Sequence, residues 1–287
     1  MFCKHCGKKI IEGAAFCNNC GAKVSDFDEQ ETDYEIEKTP IKKLPYVVLA
    51  VVVGVIALLI YIGKNFGSGE IVNNSVEVGD TVKFGVYEQD YNTSNRPQAI
   101  VWDVVAKERE NCMFFSHYVL DKYQYETVMS SLFWEGSELH TWLNSAFMMN
   151  AFDDSEKQML ASDVTLLSLS DIEEYFNPTA LPDYGMNVFY SGKLACAPTA
   201  YAAAMGVGSE SIEELTSDDS PYNTSLFKAA EKDVPEDCKS NIAEGWFLKD
   251  ISTRQNMVYA VSHIVTSDGA YAGDRWGIRP VVWVHVP

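Results

Sequence analysis

Apolar and polar positions divide the chain into segments of different character. Residues 46–63 form a run of 18 residues without a charge, which at about 1.5 Å per residue spans roughly the apolar core of a bilayer. Residues 24–43 are charged and show no sustained period, whereas from Val76 onward short apolar stretches alternate with polar turns. The pattern predicts a charged linker over 24–43, a transmembrane helix over 44–64, a stalk over 65–75 and a globular domain over 76–287.

Strand patterns dominate the two ends of the globular domain. Runs rich in β-branched and aromatic residues, bounded by polar turns, are typical of strands. They cover Asp80–Glu88, Ala99–Lys107, Cys112–Leu120, Gly245–Lys249, Met257–Val265 and Arg279–Val286. Ser267-Asp268-Gly269 predicts a turn before the last strand.

Helix patterns lie between the two groups of strands. Ser137 is placed to cap a helix with one apolar stripe, made of Leu139, Trp142, Leu143 and Phe147. Ser170 and Glu173 predict a capping box for a second helix, and Ser155–Leu160 a further short one. Asn177–Glu244 contains five prolines and is predicted to wrap the core as irregular loops. Strands, helices, loops and more strands in this order indicate an α+β domain.

Four of the seven cysteines lie within the first twenty residues, as the pairs Cys3/Cys6 and Cys17/Cys20. Two Cys-x-x-Cys turns separated by ten residues can surround a tetrahedral Zn²⁺ with four thiolates. The metal would supply the folding free energy that so short a segment lacks. Residues 1–23 resemble the N-terminal zinc-ribbon family of bacterial membrane proteins, with Zn²⁺ as the expected cofactor. Two redox dithiols or a disulfide-linked minidomain are the alternative interpretations.

Lysines around the apolar run predict the orientation of the chain. Lys38, Lys42 and Lys43 precede the run, whereas Lys64 alone follows it, so the positive-inside rule places the N-terminus in the cytoplasm. The four N-terminal cysteines support the same orientation, because thiolates stay available to bind zinc only in a reducing compartment. The sequence therefore predicts a single-pass protein of the cell membrane with its C-terminal domain outside the cell. A buried core helix is the alternative interpretation of the run.

Acidic residues are concentrated in the outer domain. The chain has a net charge of −19, yet residues 1–64 hold 8 basic and 8 acidic groups, so the remaining residues carry all of the excess. This charge argues against binding of a nucleic-acid backbone. The expected partners are the membrane and a cell-surface molecule. Binding to nucleic acid is not expected.

Several motifs of the outer domain occur in a recognisable order. They are Trp134–Phe147, Leu166–Phe176, Ala197–Ala202, Gly245–Asp250 and Gly277–Val284. In this order they resemble the bacterial DUF6273 domain. The resemblance implies a C-type-lectin-like fold, related to sulfatase-modifying factors and to variable ligand-binding proteins.

Two groups of side chains are candidates for ligand binding. Trp246, Trp276 and Arg279 lie near strand ends of the region that carries the resemblance, and aromatic and arginine side chains suit a glycan or a peptide ligand. Core packing is the alternative role for them. The second group consists of acidic loop residues, namely Asp218, Asp219, Asp268 and Asp274. Their carboxylates could bind Ca²⁺ as hard oxygen ligands. The alternative is that they are simply solvated.

No pattern of catalytic residues is present in the outer domain. Its histidines lack a His-Glu-x-x-His spacing, and no serine lies in a Gly-x-Ser-x-Gly turn, so a binding protein rather than an enzyme is predicted. An envelope enzyme of the sulfatase-modifying type is one alternative, since those relatives bind copper through a late cysteine pair. Signalling from an outer ligand to the zinc ribbon is the other. Cys196 and Cys238 are either disulfide-bonded or buried thiols.

Overall fold

The computed structural model describes residues 76–286 except 129–131, 182, 184–186 and 218–220. Over these ranges the chain is an α+β domain with more strand than helix, which confirms the α+β class; the lectin-like fold stays a prediction. The predicted zinc ribbon, linker, transmembrane helix and stalk lie outside the described residues. Within the described part, no helix is long and apolar enough to cross a membrane.

Thirteen strands are present in the described ranges. They are β1 (Thr81–Tyr87), β2 (Gln98–Glu108), β3 (Asn111–Ser116), β4 (Asp121–Gln124), β5 (Thr179–Ala180), β6 (Phe189–Tyr190), β7 (Ser209–Glu210), β8 (Ile242–Ala243), β9 (Trp246–Ile251), β10 (Met257–Ser262), β11 (Val265–Tyr271), β12 (Arg275–Ile278) and β13 (Val281–His285). The predicted strands are confirmed in place. The third ends earlier than predicted, at Ser116, and Met257–Val265 covers β10 and the start of β11.

Two sheets carry the fold. The first is antiparallel, with the order β1-β2-β3-β13, and the second has the order β4-β12-β9-β10-β11-β6-β5, in which only β12 and β9 run parallel. Phe84, Trp102 and Phe114 of the first sheet are buried against the helical segment that follows β4. A short third sheet pairs β7 with β8.

The helices are α1 (Glu138–Trp142), α2 (Met148–Ala151), α3 (Asp154–Met159), α4 (Leu169–Tyr175), α5 (Ala200–Ala204), α6 (Ile212–Ser217) and α7 (Pro221–Ala230). A π-helical turn, Leu143–Phe147, joins α1 to α2. Ser137 caps α1 as predicted, because its side chain accepts a hydrogen bond from the His140 amide. Leu139, Leu143 and Phe147 are buried, which confirms the apolar stripe at these positions.

The predicted capping box of α4 is wrong by two residues. Ser168, not Ser170, is the N-cap, and its hydroxyl accepts from the Asp171 amide at 3.1 Å. The Asp171 carboxylate in turn accepts from the Ser168 amide at 2.7 Å. A shorter aspartate thus takes the position expected of glutamate, and the helix begins earlier than the Ser-x-x-Glu pattern indicates.

The prolines of residues 177–244 do not produce irregular loops throughout. Helices α5, α6 and α7 lie in this range, and α6 and α7 cover a separate apolar cluster that includes Ile212, Leu226, Phe227 and Ile242. The prediction is wrong here because short helices with little periodicity are held by tertiary packing rather than by local pattern.

The predicted turn at Ser267-Asp268-Gly269 is also wrong. These residues lie inside β11, and the hairpin between β10 and β11 turns at His263 and Ile264. Ala260 pairs with Ser267 and Val258 pairs with Ala270, so Asp268 and Gly269 together face the single residue Tyr259. A β-bulge therefore accommodates the two turn-forming residues within a strand.

The two ends of the described domain meet at the β2–β3 turn. Lys107 Nζ donates to the Val76 carbonyl at 2.8 Å. Val286 donates its amide proton to the Glu110 carbonyl at 2.7 Å. The chain therefore enters and leaves this domain at the same corner of the first sheet.

Candidate functional site

A cleft of about 560 Å³ lies between strand β11 and helices α6 and α7, and we call it the β11 cleft. Its volume falls within the range of small-ligand pockets, roughly 300 to 1,000 Å³. The residues that form it are distributed from Leu181 to Gly269 along the chain. The cleft is thus a product of the tertiary fold and not of one local motif.

One wall of the β11 cleft is apolar. It is formed by Leu181, Val188, Leu215, Leu226, Phe227 and Val265. Leu215, Leu226 and Phe227 come from α6 and α7 and are almost fully buried, because the same side chains also pack in the cluster beneath these helices. The wall is therefore fixed by the core and presents a preformed apolar surface.

The rim of the cleft is charged. Glu210, Glu214 and Asp268 contribute three carboxylates, and Arg254 contributes one guanidinium. Arg254 Nη1 lies 3.4 Å from Asp268 Oδ1, so the guanidinium is paired with one of the three. The other two carboxylates face no basic group of the cleft unless His263 is protonated.

His263 occupies the hairpin turn at the floor of the cleft. Its Nε2 lies 2.9 Å from Glu210 Oε2, but the buried nitrogen has no aligned hydrogen-bond partner in the described part of the chain. Burial lowers the pKa of His263 below its ordinary value of 6.5, against the raising effect of Glu210. The imidazole is therefore neutral at neutral pH, and the rim keeps an excess of negative charge.

The structure does not bring Trp246, Trp276 and Arg279 together as one exposed site. Trp246 is fully buried and Arg279 is 2% exposed. The Arg279 guanidinium lies 3.8 Å from the centre of the Phe115 ring and 5.1 Å from that of Trp246. It donates to the carbonyls of Ser116, Leu194 and His117. Trp246 and Arg279 are thus core residues, and neither side chain can reach a surface ligand.

Trp276 alone among the three borders a concave surface. It lines a small pocket of about 140 Å³ together with Lys122 and Arg275. Its ring packs so closely on Gly245 that a Cβ at that glycine would lie 2.5 Å from it. Lys122 and Arg275 are occupied, since the first donates to the Gly206 carbonyl and the second to that of Lys122. The pocket has about the volume of a cavity that holds one benzene-sized molecule and is smaller than typical ligand pockets.

A shallow groove of about 340 Å³ lies beside α1. Tyr123 and Trp142 line it with stacked rings whose centres are 4.8 Å apart. Trp142 belongs to the predicted apolar stripe of this helix, yet it is only half-buried. Glu138 also lines the groove, and hydrogen bonds from Gln124 and Thr127 lower its pKa. Its carboxylate is therefore already engaged by the protein, and the groove is more open than the β11 cleft.

The predicted calcium ligands do not form a cluster in the described structure. Asp218 and Asp219 lie outside the described residues, and Asp268 pairs with Arg254. Across the described ranges, no group of three or more acidic, histidine or cysteine side chains is arranged to hold a metal ion.

The cysteines of the domain are thiols. Cys112, Cys196 and Cys238 are buried and none is disulfide-bonded, so Cys196 and Cys238 are free. Burial raises the pKa of the Cys238 thiol to about 12 and also raises that of Cys196. Both are protonated at neutral pH and are therefore poor nucleophiles and poor metal ligands in this state.

Two segments of the chain match known domain families. Residues 2–24 match the zinc-ribbon domain. Residues 109–180 match DUF6273, a domain of unknown function. A zinc-ribbon domain and a DUF6273 segment are therefore present, and Cys3, Cys6, Cys17 and Cys20 lie within the first. No curated protein and no solved structure matches the chain.

The β11 cleft lies outside the DUF6273 match. All of its lining residues follow position 180, so the matched segment supplies sheet and helices but not this site. Sequence reasoning missed the cleft because its residues come from separate segments. The sequence carries one signal for it: Asp268 and Gly269 are turn-forming residues, and they form the bulge at the edge of the cleft.

Proposed function

We propose that this protein is a single-pass membrane protein with a zinc ribbon in the cytoplasm and a binding domain outside the cell. Cys3, Cys6, Cys17 and Cys20 would hold the zinc, and residues 44–64 would span the membrane. The outer domain would have the lectin-like fold that the sequence motifs imply and would bind a ligand without catalysing a reaction. The β11 cleft would be its binding site.

The observation that supports this proposal best is the composition of the cleft. A preformed apolar wall faces a rim of a few charged groups, and a titratable side chain with a shifted pKa lies between them. The Ser262 hydroxyl lies 3.5 Å from His263 Nδ1, which is longer than the roughly 2.6 to 3.2 Å that joins an activated nucleophile to its base. This arrangement favours binding over chemistry.

Small aromatic probes test the cleft directly. Benzylamine, benzyl alcohol and benzoate have the same ring and differ in charge, so we expect benzylamine to bind most tightly because two rim carboxylates face no basic group of the cleft. Saturation-transfer NMR with the full-length protein in detergent micelles measures the three in turn. Weak, millimolar affinities are expected for ligands of this size.

A matched pair of variants assigns the signal to the cleft. Gly269 lines the cleft, and no atom lies within 4 Å of a Cβ added there, so Gly269→Trp should fill the cleft without disturbing the fold. Glu173→Trp places the same side chain on the exposed face of α4. Benzylamine binding should disappear in the first variant and persist in the second. Equal binding to both variants would remove the cleft from the proposal.

Topology and zinc need separate measurements. Protease added to intact cells should digest the domain of residues 76–287 and spare the zinc ribbon; the reverse pattern would contradict the proposed orientation. Purified full-length protein should retain one equivalent of zinc, and a Cys3→Ser, Cys17→Ser double variant should lose it. Zinc retained by the double variant would contradict the four-cysteine site.

A further inference from the structure

We infer that the ligand of the β11 cleft is an extended peptide segment of alternating apolar and basic residues, which adds as a strand to the outer edge of β11. The inference rests on the proposed binding function of the cleft and names the class of ligand. Four features support it: the residues that line the cleft, the pairing of β11, the space beside its bulge and the charge of the rim.

The lining of the cleft follows a strand edge. Val265 and its four successors through Gly269 all border it. Successive side chains of a strand point to opposite faces of the sheet, so a surface that touches five residues in a row must run along the backbone edge. A ligand in the cleft would therefore meet main-chain groups of β11 as well as side chains.

That edge is largely unpaired within the described part of the chain. β10 covers one side of β11 from Val265 to Tyr271. On the other side, β6 pairs only at Val265, through Tyr190, and Thr266 Oγ1 accepts from the Phe189 amide. From Ser267 to Tyr271 the described residues provide no strand on this side. Exposed edge groups are a template for an added strand, the mode known as β-augmentation.

The bulge leaves open space on one face of the sheet next to this edge. Asp268 and Gly269 form it, and a Cβ at Gly269 would have no neighbour within 4 Å. Ser267, Asp268 and Gly269 both border the cleft and lack a strand on this side among the described residues, so they would pair with the central part of a five-residue peptide. A bulge at a sheet edge can also serve to discourage pairing, and main-chain methylation of a peptide ligand distinguishes these two roles.

The side chains of the cleft define which peptide fits. One face of an added strand would lie on Leu181, Leu215 and Leu226 and so favours small apolar residues at alternate positions. Glu210 and Glu214 on the rim carry charges that neither Arg254 nor neutral His263 offsets. A basic residue at the intervening positions is therefore favoured, and an acidic one is disfavoured.

A set of five-residue peptides tests strand addition. The probe is fluorescein-labelled Val-Lys-Val-Lys-Val amide, measured by fluorescence polarisation with the full-length protein in micelles, at protein concentrations up to about 1 mM. A Val-Glu-Val-Glu-Val peptide tests charge. Two N-methylated versions of the lysine peptide, methylated at the odd or at the even residues, test main-chain pairing, because only alternate residues of a strand point their N–H groups at a neighbour.

Strand addition predicts a specific pattern of results. The lysine peptide should bind at least tenfold more tightly than the glutamate peptide, and one methylated series should lose binding while the other keeps it. Amide hydrogen exchange of Ser267–Tyr271 should slow when the peptide is added. Glu210→Lys should weaken binding several-fold, whereas Glu213→Lys, an exposed neighbour that does not line the cleft, should leave it unchanged.

Other results overturn the inference in distinguishable ways. Suppose that the lysine peptide binds the native protein but not the Gly269→Trp variant, and that both methylated peptides bind equally well. The cleft is then a ligand site, but strand addition is wrong. If benzylamine binds and no peptide does, the peptide class is wrong and the proposed function stands. If neither probe responds to Gly269→Trp, both the inference and the proposed function fail.

Discussion

His117 and His263 both lie beside carboxylates, but their surroundings are opposite. His117 Nδ1 is 2.8 Å from Asp103 and its Nε2 is 2.7 Å from Asp237, and the hydrogen bond to Asp103 is the main cause of its raised pKa. The pKa of His263 is lowered by burial, and its Nε2 has no aligned partner in the described structure. One ring is stabilised in its charged form by two acceptors, and the other is kept neutral by burial, against the opposing effect of Glu210.

The difference separates a structural region from the region that we propose binds a ligand. His117 is part of a network in which Arg279 donates to its carbonyl and to those of Ser116 and Leu194, so the His117 ring and these three carbonyls are satisfied by the protein itself. The β11 cleft has charged groups that the protein leaves only partly paired. Buried groups with complete partners stabilise a fold, whereas incompletely paired groups beside a cavity are available to a ligand.

The largest expected effect is on the structural side. Arg279→Met removes the donor to three buried carbonyls and the charge above the Phe115 ring, so we expect the free energy of unfolding to fall by at least about 3 kcal/mol. Urea unfolding of the full-length protein measures it. Arg275→Met is the control, since this exposed arginine donates to the Lys122 carbonyl at the surface and its loss should cost less than about 1 kcal/mol. A small loss for Arg279→Met would contradict the structural role of this arginine.

The His117 network predicts a dependence on pH. Its folded pKa lies above 6.5, so its contribution to stability is fully present below about pH 6.5 and is lost as pH rises through the folded value. Asp237→Asn weakens the acceptor for Nε2. Because the Asp237 side chain is 46% exposed, we expect a loss of about 1 kcal/mol at pH 6 and a smaller loss at pH 9, measured by urea unfolding. A larger loss at pH 9 than at pH 6 would contradict the assignment.

His263 predicts the opposite dependence. Its folded pKa lies below 6.5, so its contribution is present above about pH 6.5 and is lost as pH falls through the folded value. His263→Asn removes the titration and tolerates the backbone there, where φ is 54°. We expect a cost of about 0.5 kcal/mol at pH 8 and a shallower decline in stability toward pH 5. A stability of His263→Asn that declines toward pH 5 as steeply as that of the native protein would contradict the assignment.

The smallest expected effect on stability is in the cleft itself. Gly269→Trp meets no atom near its Cβ, so the free energy of unfolding should change by no more than about 0.5 kcal/mol while ligand binding is lost. Thermal and urea unfolding of the variant check the first statement. Marked destabilisation would mean that the cleft is closed by packing and that both regions are structural.

Local pattern is sufficient for much of this fold but not for the site. The strand runs and the stripe of Leu139, Leu143 and Phe147 depend on periodicity within a few residues, and the structure has them at these positions. The sequence predicts Trp246 and Arg279 at the surface because they are at strand ends, but both are buried. Periodicity along a strand does not tell whether the rest of the fold covers its end. Asp268 and Gly269 have turn chemistry, but only the pairing of β10 with β11 decides between a turn and a bulge.

The meeting of both chain ends at the β2–β3 turn has a consequence for protein engineering. Because Val76 and Val286 contact Lys107 and Glu110, a short flexible linker would join them, and the domain should accept a circular permutation. New ends opened in the exposed loop around Asn92–Asn95 would lie in a different part of the sequence from the β11 cleft. Such a permutant would contain the β11 cleft but neither the zinc ribbon nor the apolar segment of residues 46–63. Its new termini would lie in the loop around Asn92–Asn95.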